Sequence, residues 1–206
     1  MREITPVVKQ LLIINILFFV GTQLLQDKAY EYFALFPFNN PNFRVWQLLT
    51  HMFMHGGIAH IAFNMFALYS FGSMLESIWG TKKFLFFYIS CGLGAGIMQN
   101  VINFYTGDIL TAAVGASGAI YGLLVAFAFM FPDARLAMLF IPVPIKAKYF
   151  VPGILLIDLF LGVKGNSIFG GSGTGVAHFA HIGGALIGFI MMWYWKKNSF
   201  NDKRWN

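Results

Sequence analysis

The chain has 206 residues, 58% of them apolar and 11% charged, with a mean hydropathy of +0.67, a balance far from that of a soluble domain of this size. Its net charge of +6 is spread between apolar runs rather than gathered into a basic tract with interleaved aromatics, so nucleic acid is not an expected partner. The single cysteine, Cys91, excludes an internal disulfide and CxxC metal motifs, and reads as a small inert hydrophobe.

Charges are spaced as membrane spans require. Seventeen residues separate Lys9 from Asp27, 24 separate Lys83 from Asp108, 24 more separate Asp108 from Asp133, and 31 separate Lys164 from Lys196. Each gap can hold the roughly 20 residues that cross about 30 Å of hydrocarbon. In chain order the pattern predicts six helices, at about 9–26, 55–77, 83–103, 116–131, 149–162 and 176–195, in a single domain over 1–206. The first resembles a signal peptide, but no A-x-A-like site follows Val20, so it is expected to stay as an uncleaved span. The fifth is the weakest, short and carrying Asp158.

The linkers carry their own signals. Asp27 to Val45 contains Pro37, Pro41 and three asparagines; Pro132 to Lys148 contains two further prolines; six of the fourteen residues from Gly162 to Gly175 are glycine. With six spans and a cytoplasmic N-terminus, eleven Lys and Arg residues fall inside, leaving Lys28, Arg44 and Lys164 outside, which places both termini in the cytoplasm. Small residues recur at fours, as in Gly92 and Gly96, Gly118 and Gly122, Gly184 and Gly188, a spacing suited to close helix packing in lipid.

Three segments carry polar groups that a bilayer penalises unless they are buried and used. His60 and Asn64 are four residues apart and share a helix face, near His51 and His55; Ser117 lies in the fourth helix, and His178 and His181 in the sixth. Ser117 precedes Pro132 by 15 residues, and His181 precedes Lys196 by 15. At a rise of 1.5 Å per residue, each lies about 22 Å from the cytoplasmic end of its helix. A serine and a histidine at one depth form a nucleophile and base if they touch. At the first turn of its helix, Ser117 would also offer backbone N–H groups to an oxyanion, and His60 and Asn64 could add donors.

These residues carry a family resemblance. Gly115-Ala116-Ser117-Gly118 is similar to the GxSG motif of rhomboid intramembrane proteases, Ala180-His181 followed by Gly184 and Gly188 to their AHxxGxxxG motif, and His60 with Asn64 to their HxxxN. The likeness runs from first span to last and resembles the minimal bacterial-type core. It implies an all-α, polytopic six-transmembrane-helix bundle in a bacterial inner (cell) membrane. The implied activity is that of a serine endopeptidase cutting transmembrane segments through an acyl-enzyme intermediate.

The resemblance also implies roles. Ser117 becomes the nucleophile and His181 the general base of a Ser-His dyad without an aspartate. His60, Asn64 and the Ser117 backbone become the oxyanion hole, Tyr121 the aromatic packed on the imidazole, and His55 a further histidine near that hole. Glu76 falls in the GxxxE segment of the second helix. Where the family has a Trp-Arg pair in its long first loop, this chain has Trp46-Gln47, with Arg44 three residues before Gln47. The fifth helix and the glycine-rich segment before the sixth are the expected gate and lid, admitting transmembrane protein substrates from membrane lipid.

Other residues read more plainly. His51 and His178 are expected to be interfacial or packing residues, and Asp158 a solvated or helix-pairing carboxylate. No cofactor and no metal are expected. A metal enzyme or transporter is weighed because His51 and His55 share a face, but no HExxH is present. A non-catalytic relative that binds transmembrane segments is the other rival, set apart by loss of the serine or histidine, both of which are kept here. Substrates and oligomeric state are not encoded legibly.

Overall fold

In a computed structural model of the chain, residues 3–138, 141–164 and 178–198 are described, and the expected lid falls largely on residues outside them. The fold is mostly helical. Its long elements are α1 (Pro6–Leu25), α4 (Ile58–Ala67) continuing through a π turn at Leu68–Gly72 into α5 (Ser73–Trp79), and α6 (Thr81–Thr106), followed by α7 (Ser117–Met130), α8 (Ala147–Lys164) and α9 (His178–Asn198). All six expected helices are present, with ends shifted by one to three residues.

Three of them, Pro6–Leu25, Ile58–Trp79 and Thr81–Thr106, are long and apolar enough to cross a membrane. At 14 residues, α7 rises only about 21 Å, because the chain before Ser117 is not helical.

Two features go beyond the six expected helices, and the second departs from an all-α fold. The segment after Gln26 is not simply a linker: Asp27–Phe33 forms a short helix, α2, and Gln47–Thr50 forms α3, with a 3₁₀ turn at His51–Phe53. Between α7 and α8, Arg135–Met138 (β1) and Ile141–Lys146 (β2) pair as an antiparallel ribbon, with Arg135 opposite Lys146 and Leu136 opposite Ile145. Pro142 and Pro144 obscure this strand in the sequence, but each strand of a two-stranded ribbon has an unpaired edge where a missing N–H costs nothing. Lys146 and Lys148 close the turn on Asp133, at 3.0 and 2.9 Å. Their hydrogen bonds hold the Asp133 carboxyl below the usual carboxylate range.

Tertiary contacts substitute for local capping at α1. Thr5, its N-cap residue, makes no side-chain cap bond to the helix. Glu76, buried on α5, accepts instead from the Val7 and Val8 N–H groups at 3.0 Å each and from the Thr5 hydroxyl. A carboxylate there satisfies orphan donors and complements the positive end of the helix.

A core around Phe84, Phe87, Tyr88, Cys91 and Leu123 packs α6 and α7 together. Glycines set the distance between helices. A Cβ at Gly184 would lie 1.9 Å from the Gly118 carbonyl oxygen, one at Gly188 2.9 Å from Gly122 Cα, and one at Gly122 2.4 Å from Cys91 Sγ. Backbone therefore meets backbone where α7 crosses α9, as the fourfold spacing predicted.

The long loop between α1 and α4 is held by Gln47, which is fully buried. Its amide nitrogen donates to the Glu31 and Asn42 carbonyls at 3.0 Å each, and its oxygen accepts from the Arg44 and Phe36 N–H groups at 3.1 and 3.4 Å. Both donors and both acceptor positions are used. Arg44 itself reaches the Pro41 and Phe43 carbonyls from an exposed position. Gln47, rather than an arginine, anchors this loop.

Candidate active site

The site begins with the backbone before α7. Gly115 has φ of 129°, a conformation that side-chain-bearing residues rarely adopt, and its N–H donates to the His51 carbonyl at 2.9 Å. A Cβ there would also meet His60 Nε2 at 2.9 Å, so the first glycine of the motif is required by both torsion and space. The turn delivers Ser117 as the first residue of α7, following Ala116 as N-cap. The first helical bond of that turn runs from the Ile120 N–H to the Ala116 carbonyl, so the preceding N–H groups have no partner within the helix.

Against this helix end, α9 brings its imidazole. His181 Nε2 lies 2.8 Å from Ser117 Oγ, a hydrogen-bond distance for a serine hydroxyl donating to a bare imidazole nitrogen. Tyr121, one turn along α7 from Ser117, stacks on the His181 ring with centroids 4.3 Å apart and planes within 7°. The ring is thus fixed by a stacked face and by glycine packing at Gly184, three residues along α9. The residues expected to form the dyad and its aromatic support are brought together.

Residues on α4 and the loop before it complete the surround. His60 lies beside Gly115, and its Nδ1 accepts from the Gly56 N–H at 3.4 Å. His55 is buried and meets the His60 ring edge-to-face at 5.1 Å. Asn64, one turn after His60, is buried, and its amide NH₂ has no partner among the described residues. A buried donor without an acceptor costs about 1–3 kcal/mol, which makes Asn64 available to an oxygen that arrives with substrate. His51 is a packing residue: buried, with Nδ1 2.8 Å from the Gln47 carbonyl and its ring against Gly96.

One expectation is narrowed here and one corrected. Of the two readings of Asp158, solvated or helix-pairing, the second holds: it is 5% exposed on α8 and pairs that helix with α9. His178 is not an interfacial or simple packing residue, because its Nδ1 bonds Asp158 Oδ1 at 2.6 Å. His181 Nδ1 lies 3.3 Å from the same oxygen, at ion-pair distance but off the angle of a full hydrogen bond. The Tyr121 hydroxyl is also within reach of this carboxylate. Sequence held the signal, since an acid in an apolar helix is expensive unless paired, and His178 and His181 at i and i+3 share a helix face. What it lacked was the register between α8 and α9.

Asp158, His178 and His181 each offer a ligand atom within 4.8 Å of the others, and form the set among the described residues compact enough to hold a metal. The 2.6 Å contact is that of a hydrogen bond, so a metal would have to displace a proton and widen the cluster.

Comparison with known proteins gives the family. Residues 42–198 match the Rhomboid domain, a stretch that contains every residue of the site. The human "Presenilin-associated rhomboid-like protein, mitochondrial" is 31% identical over 194 residues, covering 88% of this chain and 47% of that protein. "Rhomboid protease GluP" of Bacillus subtilis is 33% identical over 145 residues, covering 70% and 25%. "Rhomboid protein 1, mitochondrial" of Saccharomyces cerevisiae is 29% identical over 151 residues, covering 73% and 42%. The chain spans less than half the length of each of these relatives.

Proposed function

Because the chain belongs to the rhomboid family and is an integral membrane protein, we propose that it is an intramembrane serine endopeptidase that cuts transmembrane segments of other proteins. The observation that carries this reading is the 2.8 Å contact between Ser117 Oγ and His181 Nε2. A non-catalytic relative has no need for a serine held against an oriented imidazole.

In this reading, Ser117 Oγ attacks the scissile carbonyl carbon as its proton passes to His181 Nε2. The carbonyl oxygen becomes an oxyanion, stabilised by N–H groups at the start of α7 and by Asn64 and His60. Collapse expels the amine, which takes the proton from His181 and leaves an acyl-enzyme on Ser117. Water then enters and attacks the ester carbonyl as it gives a proton to His181, which returns that proton to Ser117 Oγ as the C–Oγ bond breaks and the acid product leaves. Tyr121 and His55 support the imidazoles of His181 and His60.

The six long helices are proposed to form the spanning bundle, with both termini cytoplasmic, the orientation favoured by the Lys and Arg distribution. Relatives come from a bacterium and from mitochondria, and a bacterial cell membrane is the placement we propose from the resemblance of the motifs. Helix α8 buries only Ala147, Val151 and Asp158 of its eighteen residues, which favours it as the side where a substrate helix enters.

The test is cleavage of a panel of single-span substrates by protein purified in detergent, beside Ser117→Ala, His181→Ala and labelling by a serine-directed phosphonate. Cleavage and labelling in wild type, both lost in Ser117→Ala, are expected. A wild-type protein that folds and is never labelled, or a Ser117→Ala protein with near wild-type turnover, would overturn the assignment.

A further inference from the structure

Resting on the protease reading, we propose that Asp158 is a positioning residue for His181 and that His178 holds its carboxylate in place, extending the dyad to a chain from Ser117 through His181 and Asp158 to His178.

Asp158 comes from the middle of α8, where a carboxylate has no local reason to be. Isolated in an apolar, water-poor region, a carboxylate is so unfavourable that it protonates or finds a partner. Asp158 finds two imidazoles, both on α9, with the Tyr121 hydroxyl of α7 also within reach. Oδ1 lies 2.6 Å from His178 Nδ1 and 3.3 Å from His181 Nδ1, and all three residues are less than a tenth exposed. Oδ2 is buried without a hydrogen-bond partner in good geometry among the described residues, so the carboxylate has acceptor capacity left where the imidazoles converge.

The consequence for His181 follows from its two nitrogens. Nε2 faces the serine at 2.8 Å and Nδ1 faces the carboxylate. A carboxylate can only accept at Nδ1, which selects the tautomer with Nδ1 protonated and Nε2 bare. That tautomer can take the Ser117 proton; the other cannot. When the proton arrives, the ring becomes an imidazolium, and the negative charge beside Nδ1 stabilises it. No proton moves to Asp158: the Ser117 O–H bond breaks, an Nε2–H bond forms, and the positive charge on the ring is matched by the carboxylate already present.

Tyr121 stacking alone fixes the plane of the ring and leaves its two edges exchangeable by a flip. Asp158 removes that ambiguity. His178 supplies the second constraint, because a short bond to Oδ1 restrains rotation of the carboxylate. Since Asp158 rides on α8 while both histidines ride on α9, docking of α8 against α9 is what places the charge. The 3.3 Å contact, off the hydrogen-bond angle in the free protein, tightens when the imidazolium forms.

The experiment measures kcat and KM across pH for wild type, Asp158→Asn, Asp158→Glu and His178→Gln in detergent, with Ser117→Ala as the blank. Titratable groups facing His181 are His60 from α4, Tyr121 from α7, Asp158 from α8 and His178 from its own helix, so each profile is compared with wild type rather than with an isolated imidazole. Asp158→Asn is expected to lower kcat by about 10²–10⁴-fold, the upper end being the loss known for a wrong-tautomer histidine, with KM little changed and the acid limb, on which the base becomes neutral, displaced. Asp158→Glu should recover part of the loss, and His178→Gln should lower kcat less than Asp158→Asn.

A wild-type-like kcat and pH profile in Asp158→Asn overturns the proposal while leaving the protease reading intact. Loss of cleavage and phosphonate labelling by wild type itself overturns the reading beneath it. Should Asp158 variants fail to fold, ¹⁵N spectra of histidine-labelled wild type decide: Nδ1 protonated and Nε2 bare at His181 is expected, and the opposite tautomer overturns the proposal.

Discussion

Gly184→Ala is the change that should most directly connect helix packing to chemistry. The added Cβ would lie 1.9 Å from the Gly118 carbonyl oxygen, and 2.6 Å from the carbonyl carbon, both rigid backbone atoms. Restoring an ordinary contact of 3.4 Å requires α7 and α9 to part by about 1.5 Å there, since close-packed backbone cannot yield as a side-chain tip can. Gly118 adjoins Ser117 and Gly184 follows His181 by three residues, so most of that displacement reaches the dyad. The Ser117–His181 distance of 2.8 Å then rises to roughly 4 Å, past the limit of a useful hydrogen bond. A misplacement of about 1 Å can cost on the order of 10²-fold in rate, and overpacking adds about 1–3 kcal/mol of destabilisation. The assay is kcat on a tagged transmembrane substrate beside thermal unfolding in the same detergent. Gly153→Ala on α8, whose Cβ meets nothing within 4 Å, serves as the control. Unchanged kcat and unfolding midpoint in Gly184→Ala would refute the view that backbone contact at this crossing sets the reacting distance.

Two further outcomes follow from single residues. Asn64→Ala should lower kcat by about 10²–10³-fold with KM nearly unchanged, as for loss of one oxyanion donor in a soluble serine protease, because its NH₂ is buried with no partner among the described residues; a raised KM with intact kcat would make it a substrate-positioning group instead. Gln47→Ala strands the Phe36 and Arg44 N–H groups and the Glu31 and Asn42 carbonyls, so it should destabilise the protein by about 1–3 kcal/mol for each group that water cannot reach, read as a lowered unfolding midpoint with the Ser117 label retained in the folded fraction.

Legibility in the sequence divides along a physical line. Helices were readable because lipid imposes one requirement, a long apolar run between charges, and α6 and α1 meet it almost at the predicted residues. Ser117 and His181 were readable because helical rise alone sets them level, without any knowledge of which helices touch. The β1–β2 ribbon was not, because its prolines suppress the strand signal. Asp158 was visible as an anomaly yet not as a partner: depth along a helix follows from counting, whereas rotation about the helix axis follows from packing. The 2.6 Å bond to His178 depends on that rotation.

The same distinction explains why glycine, more than any catalytic side chain, decides the architecture of this site. An imidazole and a hydroxyl must hold 2.8 Å in a region where the hydrophobic effect contributes little to helix association. Side-chain packing there would leave helix axes about 8–10 Å apart with some play between layers. Replacing that layer with contacts of backbone on backbone at Gly118 with Gly184 and Gly122 with Gly188 removes the play, because no rotamer is left to relax. Polar contacts then act on a frame that is already fixed: Tyr121 on the face of the imidazole, Ser117 on one edge and Asp158 toward the other. Each is a weak restraint alone, and each is directional only because the two helices cannot slide. The fourfold glycine spacing that reads at first as generic membrane packing therefore sets the precision on which proton transfer from Ser117 depends.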